Sequence, residues 1–358
     1  MLLSGVSLCA ALTVTGCLPN PGLQAYRASA SLNNVNDDIL YKNNKHRVQR
    51  MKFLRPRSAR TLLSVALLAT LPLSVNAAPA PLKIGASFQE INNPYFVTMK
   101  DALTEATGSI GATLLVTDAR HDVSKQLSDI EDMLQKGIDI LVLNPTDSVG
   151  VQSAVKMAHD KGVVVVAVDA QAEGPLDAFV GSKNFDAGVQ ACQYLGEKLG
   201  GKGDVGILDG IAVVPILERV RGCKEALGKF PGIKVVSTQN GKQERDQALT
   251  VTENMLQAQP NLKGLFSVND NGSLGALAAI EASGMDVKLV SVDGSPEAIK
   301  EIQKPDSKFI ATSAQYPRDQ VRLALGLALA RKWGAQVPKV VPVDILLVDR
   351  DKAKTFSW

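Results

Sequence analysis

Histidine is scarce in this 358-residue chain, and the few histidines present do not form a metal-binding pattern. There are three in total, and only His121 and His159 lie after residue 77. Neither stands at the ligand spacing of a zinc motif. A phosphate loop is also missing, because Gly200–Gly203 lies between a predicted helix and a predicted strand, which is the wrong context for a P-loop. We therefore expect no catalytic residues, no metal and no cofactor.

Long hydrophobic runs are few as well. Met51–Ala77 begins with Lys and Arg residues, runs apolar from Leu62 to Leu73, and ends in small residues. This three-part pattern is typical of a secretory signal peptide, and its apolar part is too short to span a membrane. We expect export to the periplasm and a mature chain that begins near Ala78. No later segment reaches membrane length.

Residues 1–50 do not fit in front of a signal peptide, which should be N-terminal. We interpret them as a misassigned upstream extension, with translation starting at Met51. An alternative is that Val14–Cys17 is a lipoprotein cleavage box. The first 26 residues contain no Lys or Arg, so the charged region that such a signal needs is missing, and anchoring at Cys17 is disfavoured.

The excess of positive charge is confined to this leader. Residues 1–77 hold nine Lys or Arg and two Asp, while the whole chain has a net charge of +3, so the remainder is acidic. An acidic body argues against nucleic acid as a partner. The 45% hydrophobic and 21% charged content is typical of a soluble globular protein, and the length allows two domains.

Strands and helices are predicted to alternate, starting with Leu82–Met99. There an apolar run, Leu82–Ser87, is followed by Asn-Asn-Pro, and helical spacing resumes from Phe96. Such alternation predicts parallel βαβ units, which could form one barrel or two open sheets. The predicted strands are Leu82–Ser87, Thr113–Thr117, Ile138–Leu143, Val163–Asp169, Val205–Leu208, Ile233–Ser237, Gly264–Val268 and Lys288–Asp293.

An internal repeat favours two lobes over a barrel. One strand ends at Asn144 and the next at Asp169, and the same layout recurs at Asn269 and Asp293. A (β/α)₈ barrel would need eight regular repeats instead. We predict an N-terminal lobe from residues 82–182 plus 316–343 and a C-terminal lobe from residues 183–315 plus 344–358.

Two cysteines remain once the leader is removed, Cys192 and Cys223. Each lies on the apolar stripe of a predicted helix, and right-handed crossovers place both helices on one face of the sheet. Export permits a disulfide. Two unpaired core thiols are the favoured alternative, because Cys is commonly buried as a small apolar residue.

Polar residues follow many of the predicted strands, where ligands bind in α/β sheets. Carboxylates accept hydrogen bonds from hydroxyls, carboxamides both donate and accept, and Arg221 adds donors. Tyr95 and Phe96 offer flat apolar faces. Together these groups suit a neutral polyhydroxylated ligand, although each could be a cap or turn former. The strand-end residues are Asn93, Asn144, Asp169, Asn269, Asp293 and Gln315.

The chain resembles the periplasmic sugar-binding proteins of ABC importers, and among them the ribose binders. The resemblance covers about residues 82–350. It implies an α/β fold of two Rossmann-like lobes with parallel doubly wound sheets, joined by a three-segment hinge with a ligand cleft between them. The motifs that carry it are INNPYF (91–96), LVLNPTDS (141–148), AVDAQ (167–171), ERVRG (218–222), SVNDNGSLGAL (267–277), VSVDGSPEA (290–298) and ATSAQYP (311–317).

The resemblance also implies which residues contact the ligand. Three positions depart from the ribose binders. Ala170 stands where they have Arg, and Val292 stands where they have Phe. Gln243 stands near a position where they have an aromatic residue. These changes predict that ribose is not the preferred ligand. The implied contacts are Asn93, Tyr95, Phe96, Asn144, Asp169, Arg221, Asn269, Asp293 and Gln315, and Gln243 is added as a further candidate.

We expect a monomeric, exported solute-binding protein that captures a sugar or polyol and delivers it to a membrane ABC permease, with a chemoreceptor as a further potential partner. Two alternatives stay open. The effector domain of a sugar-responsive repressor shares this fold but needs a helix-turn-helix segment, which residues 1–81 do not offer. A secreted glycosidase would use Asp169 and Asp293 as acid and nucleophile, but nothing near either residue suggests a raised pKa.

Overall fold

The computed structural model describes residues 80–358. The predicted upstream extension, the signal peptide and Cys17 lie outside the described residues. Between residues 80 and 358 no helix combines the length and the apolar character that a membrane crossing requires.

The described part of the chain contains twelve strands. They are β1 (Lys83–Phe88), β2 (Thr113–Asp118), β3 (Ile140–Leu143), β4 (Val164–Val168), β5 (Ala178–Ser182), β6 (Lys202–Asp209), β7 (Gly232–Asn240), β8 (Leu262–Ser267), β9 (Lys288–Asp293), β10 (Phe309–Ala314), β11 (Val340–Val343) and β12 (Leu346–Asp349).

Ten helices accompany these strands within residues 80–358. They are α1 (Pro94–Ser109), α2 (Val123–Gln135), α3 (Gln152–Asp160), α4 (Asn184–Lys198), α5 (Val214–Leu227), α6 (Arg245–Ala258), α7 (Asp270–Ser283), α8 (Pro296–Gln303), α9 (Pro317–Lys332) and α10 (Arg350–Ala353).

The strands form two six-stranded sheets, each the centre of one lobe. The first lobe has the order β11-β5-β4-β3-β1-β2, and the second has β12-β10-β9-β8-β6-β7. Pairing is parallel throughout, except that β12 runs antiparallel to β10. The predicted fold class, two doubly wound parallel lobes, is confirmed.

Central strands are apolar along their whole length because helices cover both faces of each sheet. All five residues of β4 are buried, as expected for parallel strands with two covered faces. At the end of β1 the chain turns, and Asn93 begins α1 as its N-cap: its Oδ1 accepts a hydrogen bond from the Tyr95 backbone N–H at 3.1 Å. Pro94 occupies the first helical turn, where no backbone donor is needed.

Three segments carry the chain between the lobes. They join β5 to α4, β10 to α9, and β11 to β12. Helix α9 packs on α1, β4 and β5, so it belongs to the first lobe. The third crossing is short, and it joins β11, the edge strand of the first sheet, to β12, the edge strand of the second.

Helices α4 and α5 pack with their backbones in close contact. A Cβ atom at Gly188 would lie 2.0 Å from the Arg219 carbonyl oxygen, and one at Gly222 would lie 2.1 Å from that of Phe185. Only glycine permits this approach. It brings the Cα atoms of Cys192 and Cys223 to 4.9 Å, and the two residues form a disulfide. The expectation of two unpaired thiols is therefore wrong, since periodicity alone does not reveal how closely two helices pack.

We expect this disulfide to stabilise the second lobe measurably. Its cysteines are 31 residues apart, and closing a loop of that length in the unfolded chain is worth about 3–4 kcal/mol. Urea unfolding of the Cys192→Ala/Cys223→Ala double variant should show a correspondingly lower free energy of unfolding than the unreduced parent. Equal unfolding midpoints, or free thiols at both positions in peptides from unreduced protein, would contradict the bridge.

Candidate ligand-binding site

A small cavity lies between the carboxyl ends of the two sheets. Both lobes contribute side chains, and all the predicted site residues except Asn144 and Arg221 line it. The first lobe provides Gln89, Asn93, Tyr95, Phe96 and Asp169, and the second provides Val213, Pro215, Ile216, Arg219, Gln243, Asn269, Asp293 and Gln315.

Asn144 lies behind the cavity and orients Asp169. Its Nδ2 donates to Asp169 Oδ2 at 3.1 Å, while its Oδ1 accepts from the Gln89 backbone N–H at 3.2 Å. Asp169 itself has a φ of 65°, a left-handed conformation that costs a non-glycine residue energy and often marks a functional site. The predicted ligand contact of Asn144 is therefore corrected to a positioning role, because its polar atoms are used in holding its neighbours.

The aromatic residues of the first lobe form one wall of the cavity. The rings of Tyr95 and Phe96 meet edge to face, with centroids 5.3 Å apart. Gln320 Nε2 donates to the Tyr95 hydroxyl at 2.9 Å. Burial, and secondly the nearby Asp169 carboxylate, raise the pKa of Tyr95 well above its ordinary value. The hydroxyl therefore stays protonated and can donate.

Asp293 is the corresponding carboxylate of the second lobe. Gln315 Nε2 donates to its Oδ1 at 2.7 Å, and the Asp270 backbone N–H donates to its Oδ2 at 3.2 Å. Arg219 Nη1 lies 3.5 Å from Oδ1. Like Asp169, Asp293 has a positive φ, 138°. Each lobe thus places one carboxylate at a strand end in a constrained backbone conformation.

Arg219, and not the predicted Arg221, is the arginine of the cavity. Arg219 is 3% exposed, and it donates to the Val268 carbonyl and to Asn184 Oδ1, both at 2.8 Å. Arg221 lies on the solvent side of α5, pairs with Glu218 at 2.6 Å and stacks over Phe185. Helical spacing explains the difference, because position 219 shares the buried face of α5 with Ile216 and Cys223.

Gln243 and Asn269 close the cavity on the second lobe. The Gln243 side chain accepts from the Ile211 backbone N–H at 3.2 Å. Asn269 caps α7, since its Oδ1 accepts from the Gly272 N–H at 3.1 Å, and its Nδ2 donates to the Gln243 carbonyl at 3.2 Å. Both carboxamides are therefore fixed in orientation before any ligand arrives.

Two residues that line the cavity each carry a buried acceptor that has no partner among the described residues. The acceptors are Oε1 of Gln89, from the first lobe, and Oε1 of Gln315, from the second. A buried polar atom without a hydrogen bond is costly and calls for an explanation. A ligand with hydroxyl donors facing both lobes would satisfy them. Gln89 is not among the residues predicted from the sequence, although its place directly after β1 follows the same strand-end pattern.

Burial raises the pKa of both cavity carboxyl groups, contrary to the sequence expectation. For Asp293 burial dominates, the Arg219 charge partly offsets it, and Asp270 adds to it, which raises the pKa to about 8. Burial also raises the pKa of Asp169, against the opposing effect of Arg219. The sequence could not indicate this, since desolvation depends on how the two lobes enclose these side chains.

We expect closure of the ligand-free cleft to depend on pH. In this structure the pKa of Asp293 is raised to about 8, chiefly by burial, and we expect opening to expose the carboxyl group to water and return its pKa towards about 4. The closed form therefore binds the proton more tightly, so closure is favoured as pH falls below about 8 and loses this contribution as pH rises through that value. Small-angle X-ray scattering should give a smaller radius of gyration at pH 6 than at pH 9. Asp293→Asn should remove most of the difference, and an equal pH response in that variant would contradict the assignment.

Comparison with known proteins places the chain in a family. The periplasmic binding protein domain matches residues 84–334. The ribose import binding protein of Bacillus subtilis is 36% identical over 266 residues, covering 74% of this chain and 86% of the relative. The xylitol-binding protein of Mycolicibacterium smegmatis is 30% identical over 253 residues, covering 69% of this chain and 71% of the relative.

Solved structures agree with this placement. A periplasmic solute-binding protein of an ABC transporter from Actinobacillus succinogenes, with bound D-allose, has a TM-score of 0.73 and 30% identity, and the match covers 77% of this chain and all (100%) of that one. The myo-inositol-binding protein of Caulobacter has a TM-score of 0.72 and 28% identity over 77% of this chain and 97% of its own. With two lobes, three crossings and a polar cavity between the sheets, this chain belongs to the periplasmic binding protein family.

Proposed function

We propose that this protein binds a neutral sugar or polyol in the cavity between its lobes and delivers it to an ABC import permease. The observation that carries the proposal is the pair of unpartnered acceptors, Oε1 of Gln89 and Oε1 of Gln315, on two residues that line one cavity from opposite lobes. A ligand that satisfies both at once must bridge the lobes. A conformational change can be driven only by contacts that differ between the two states, and such a ligand favours the closed state.

The other polar groups of the cavity also suit a ligand with hydroxyl groups. Each hydroxyl donates once and accepts from others, and the cavity offers carboxyl acceptors at Asp169 and Asp293 together with guanidinium donors at Arg219. Tyr95 and Phe96 add an apolar wall for C–H groups. An anionic ligand would face two carboxyl groups, and a purely apolar one would leave the amides unpaired.

The family relationship supports the remaining parts of the proposal. The relatives are named for ribose and xylitol, and the two solved structures contain D-allose and myo-inositol. By analogy we propose a non-catalytic, monomeric carrier that acts in the periplasm after export through the predicted signal at Met51–Ala77. Its partner would be a membrane permease, with a chemoreceptor as a second candidate.

We expect the ligand preference to differ from that of the ribose binders. The structure indicates that only one of the three sequence departures can cause this difference directly. Ala170 and Val292 are fully buried and do not line the cavity, whereas Gln243 does. Of the three departures, only Gln243 can therefore contact the ligand directly. It places a polar carboxamide of fixed orientation near the position where the ribose binders have an aromatic side chain. We propose that a polyol, an inositol or a differently shaped sugar is preferred over ribose.

A thermal-shift screen tests the function. The panel contains D-ribose, D-allose, xylitol and myo-inositol, with sodium phosphate as a negative control. A compound present at a thousandfold its dissociation constant should stabilise the fold by about 4 kcal/mol, which raises the melting temperature by several degrees. Isothermal titration then ranks the hits. The largest shift with ribose would contradict the specificity, and no shift with any polyhydroxylated compound would contradict the proposed function.

A further inference from the structure

The segment Thr355–Trp358, which follows α10, is fixed to the second lobe. Helix α10 packs on α8 and β12, and Gln303 Nε2 donates to the Ala353 carbonyl at 2.7 Å. Phe356 then packs against the second-lobe core. It lies so close to the turn after β9 that a Cβ atom on Gly294 would come within 3.1 Å of its ring. The position of the segment is therefore set by the second lobe.

Trp358 crosses from this anchor to the first lobe. Its indole Nε1 donates to the Asp293 carbonyl at 3.0 Å. Its ring meets the ring of Tyr95 edge to face, with centroids 5.9 Å apart, and packs against the apolar core of the first lobe. One side chain thus contacts a cavity residue of each lobe. Trp358 does not line the cavity itself, but lies behind Asp293 and Tyr95.

We propose that Trp358 is a positioning residue that latches the closed cleft and slows ligand release. The inference rests on the proposed function, since it concerns the same site. When the lobes separate, the indole stays with Asp293, because both belong to the second lobe, and loses the ring of Tyr95. Opening therefore breaks the aromatic contact between Trp358 and Tyr95, which only the closed form makes. Such a contact lengthens the lifetime of the closed complex while adding nothing to the approach of the ligand.

The contacts of Trp358 also fix the orientation of two residues that line the cavity, Tyr95 and Asp293. Tyr95 is held on one side by Gln320 and on another by Trp358. The Asp293 carbonyl accepts both the Trp358 indole N–H and the Gln315 backbone N–H. Removing the indole frees the Tyr95 ring on the side away from the ligand. It also leaves the peptide after Asp293, a residue of positive φ, with one hydrogen bond fewer.

Stopped-flow kinetics on the full chain test the latch. The probe is whichever of D-ribose, D-allose, xylitol and myo-inositol binds the unaltered protein most tightly. The aromatic pair and the lost burial predict that Trp358→Ala releases it about tenfold faster, with little change in the association rate. Trp358→Phe keeps a ring but loses the N–H donor. Its release rate should lie between that of the unaltered protein and that of Trp358→Ala. Trp333→Ala is the matched control, because Trp333 is 73% exposed.

Fluorescence gives a second readout that a merely structural role would not move. The chain has two tryptophans, so in Trp333→Phe protein the emission comes from Trp358 alone. Adding the probe should shift this emission to the blue and reduce its quenching by acrylamide, whereas Trp358→Phe protein should show no change. A normal affinity of the unaltered protein with unchanged release from Trp358→Ala would overturn the latch alone. Failure of the unaltered protein to bind any of the four compounds would overturn the proposed function, and the latch with it.

Discussion

Asp169→Ala is expected to weaken polyol binding by at least about 100-fold. Hydrogen bonds to charged groups contribute roughly 1.5–3 kcal/mol each, and a carboxylate that accepts from two hydroxyls loses both on truncation. The change also removes one of the two acceptors of Asn144 Nδ2 and leaves it the Val168 carbonyl. Because the loss concerns the closed state, it should appear mainly as faster release.

Isothermal titration of Asp169→Ala and Asp101→Ala makes the comparison direct. Asp101 is an exposed carboxylate on α1 that pairs only with its neighbour Lys100 in the described structure, so its removal should leave affinity unchanged. Far-ultraviolet circular dichroism checks that both variants fold. Unchanged affinity of a folded Asp169→Ala protein would rule out the first-lobe half of the site.

The two arginines of α5 should behave in opposite ways. Arg219→Ala removes a buried guanidinium that faces Asp293 and donates to Asn184 and the Val268 carbonyl. Truncation leaves Asn184 Oδ1 and the Val268 carbonyl without this donor, and a buried acceptor that loses its partner costs about 1–3 kcal/mol, so the free energy of unfolding should fall by about that amount for each lost bond. Binding should weaken at least about tenfold, through loss of the donor and of the orientation of Asp293.

Arg221→Ala provides the matched control, two residues further along the same helix. Its side chain is 59% exposed and pairs with Glu218 on the surface, and such pairs contribute about 0–1 kcal/mol. We expect nearly unchanged urea unfolding and unchanged affinity. If Arg221→Ala lost binding and Arg219→Ala kept it, the assignment of the cavity arginine would be reversed.

Much of the site follows from one rule about parallel sheets. Ligands bind beyond the carboxyl ends of the strands, and Asn93, Asp169, Asn269 and Asp293 could be selected because each follows an apolar run. The structure brings all four to one cavity. The repeat of an Asn strand end followed by an Asp strand end likewise predicted two similar lobes. Both predictions needed only the period and order of the apolar segments.

Several features of the site depend on three-dimensional packing, which a sequence pattern does not contain. The motif ERVRG contains two arginines, and only the orientation of α5 decides that Arg219 faces the cavity. Asn144 has a carboxamide side chain that could contact a ligand, yet it forms hydrogen bonds with Asp169 and the Gln89 backbone. The disulfide depends on the close approach of α4 and α5 at two glycines, and the raised pKa of Asp293 depends on the burial of its carboxyl group.

A crystal structure of the protein with its tightest-binding polyol tests the central claim most directly. The account predicts one ligand molecule between the lobes, with hydroxyl oxygens at hydrogen-bond distance, about 2.5–3.2 Å, from Asp169 and Gln89 on one side and from Arg219 and Gln315 on the other. Trp358 should lie against Tyr95 in the same structure. A ligand that contacts one lobe alone, or that lies outside this cavity, would contradict the account.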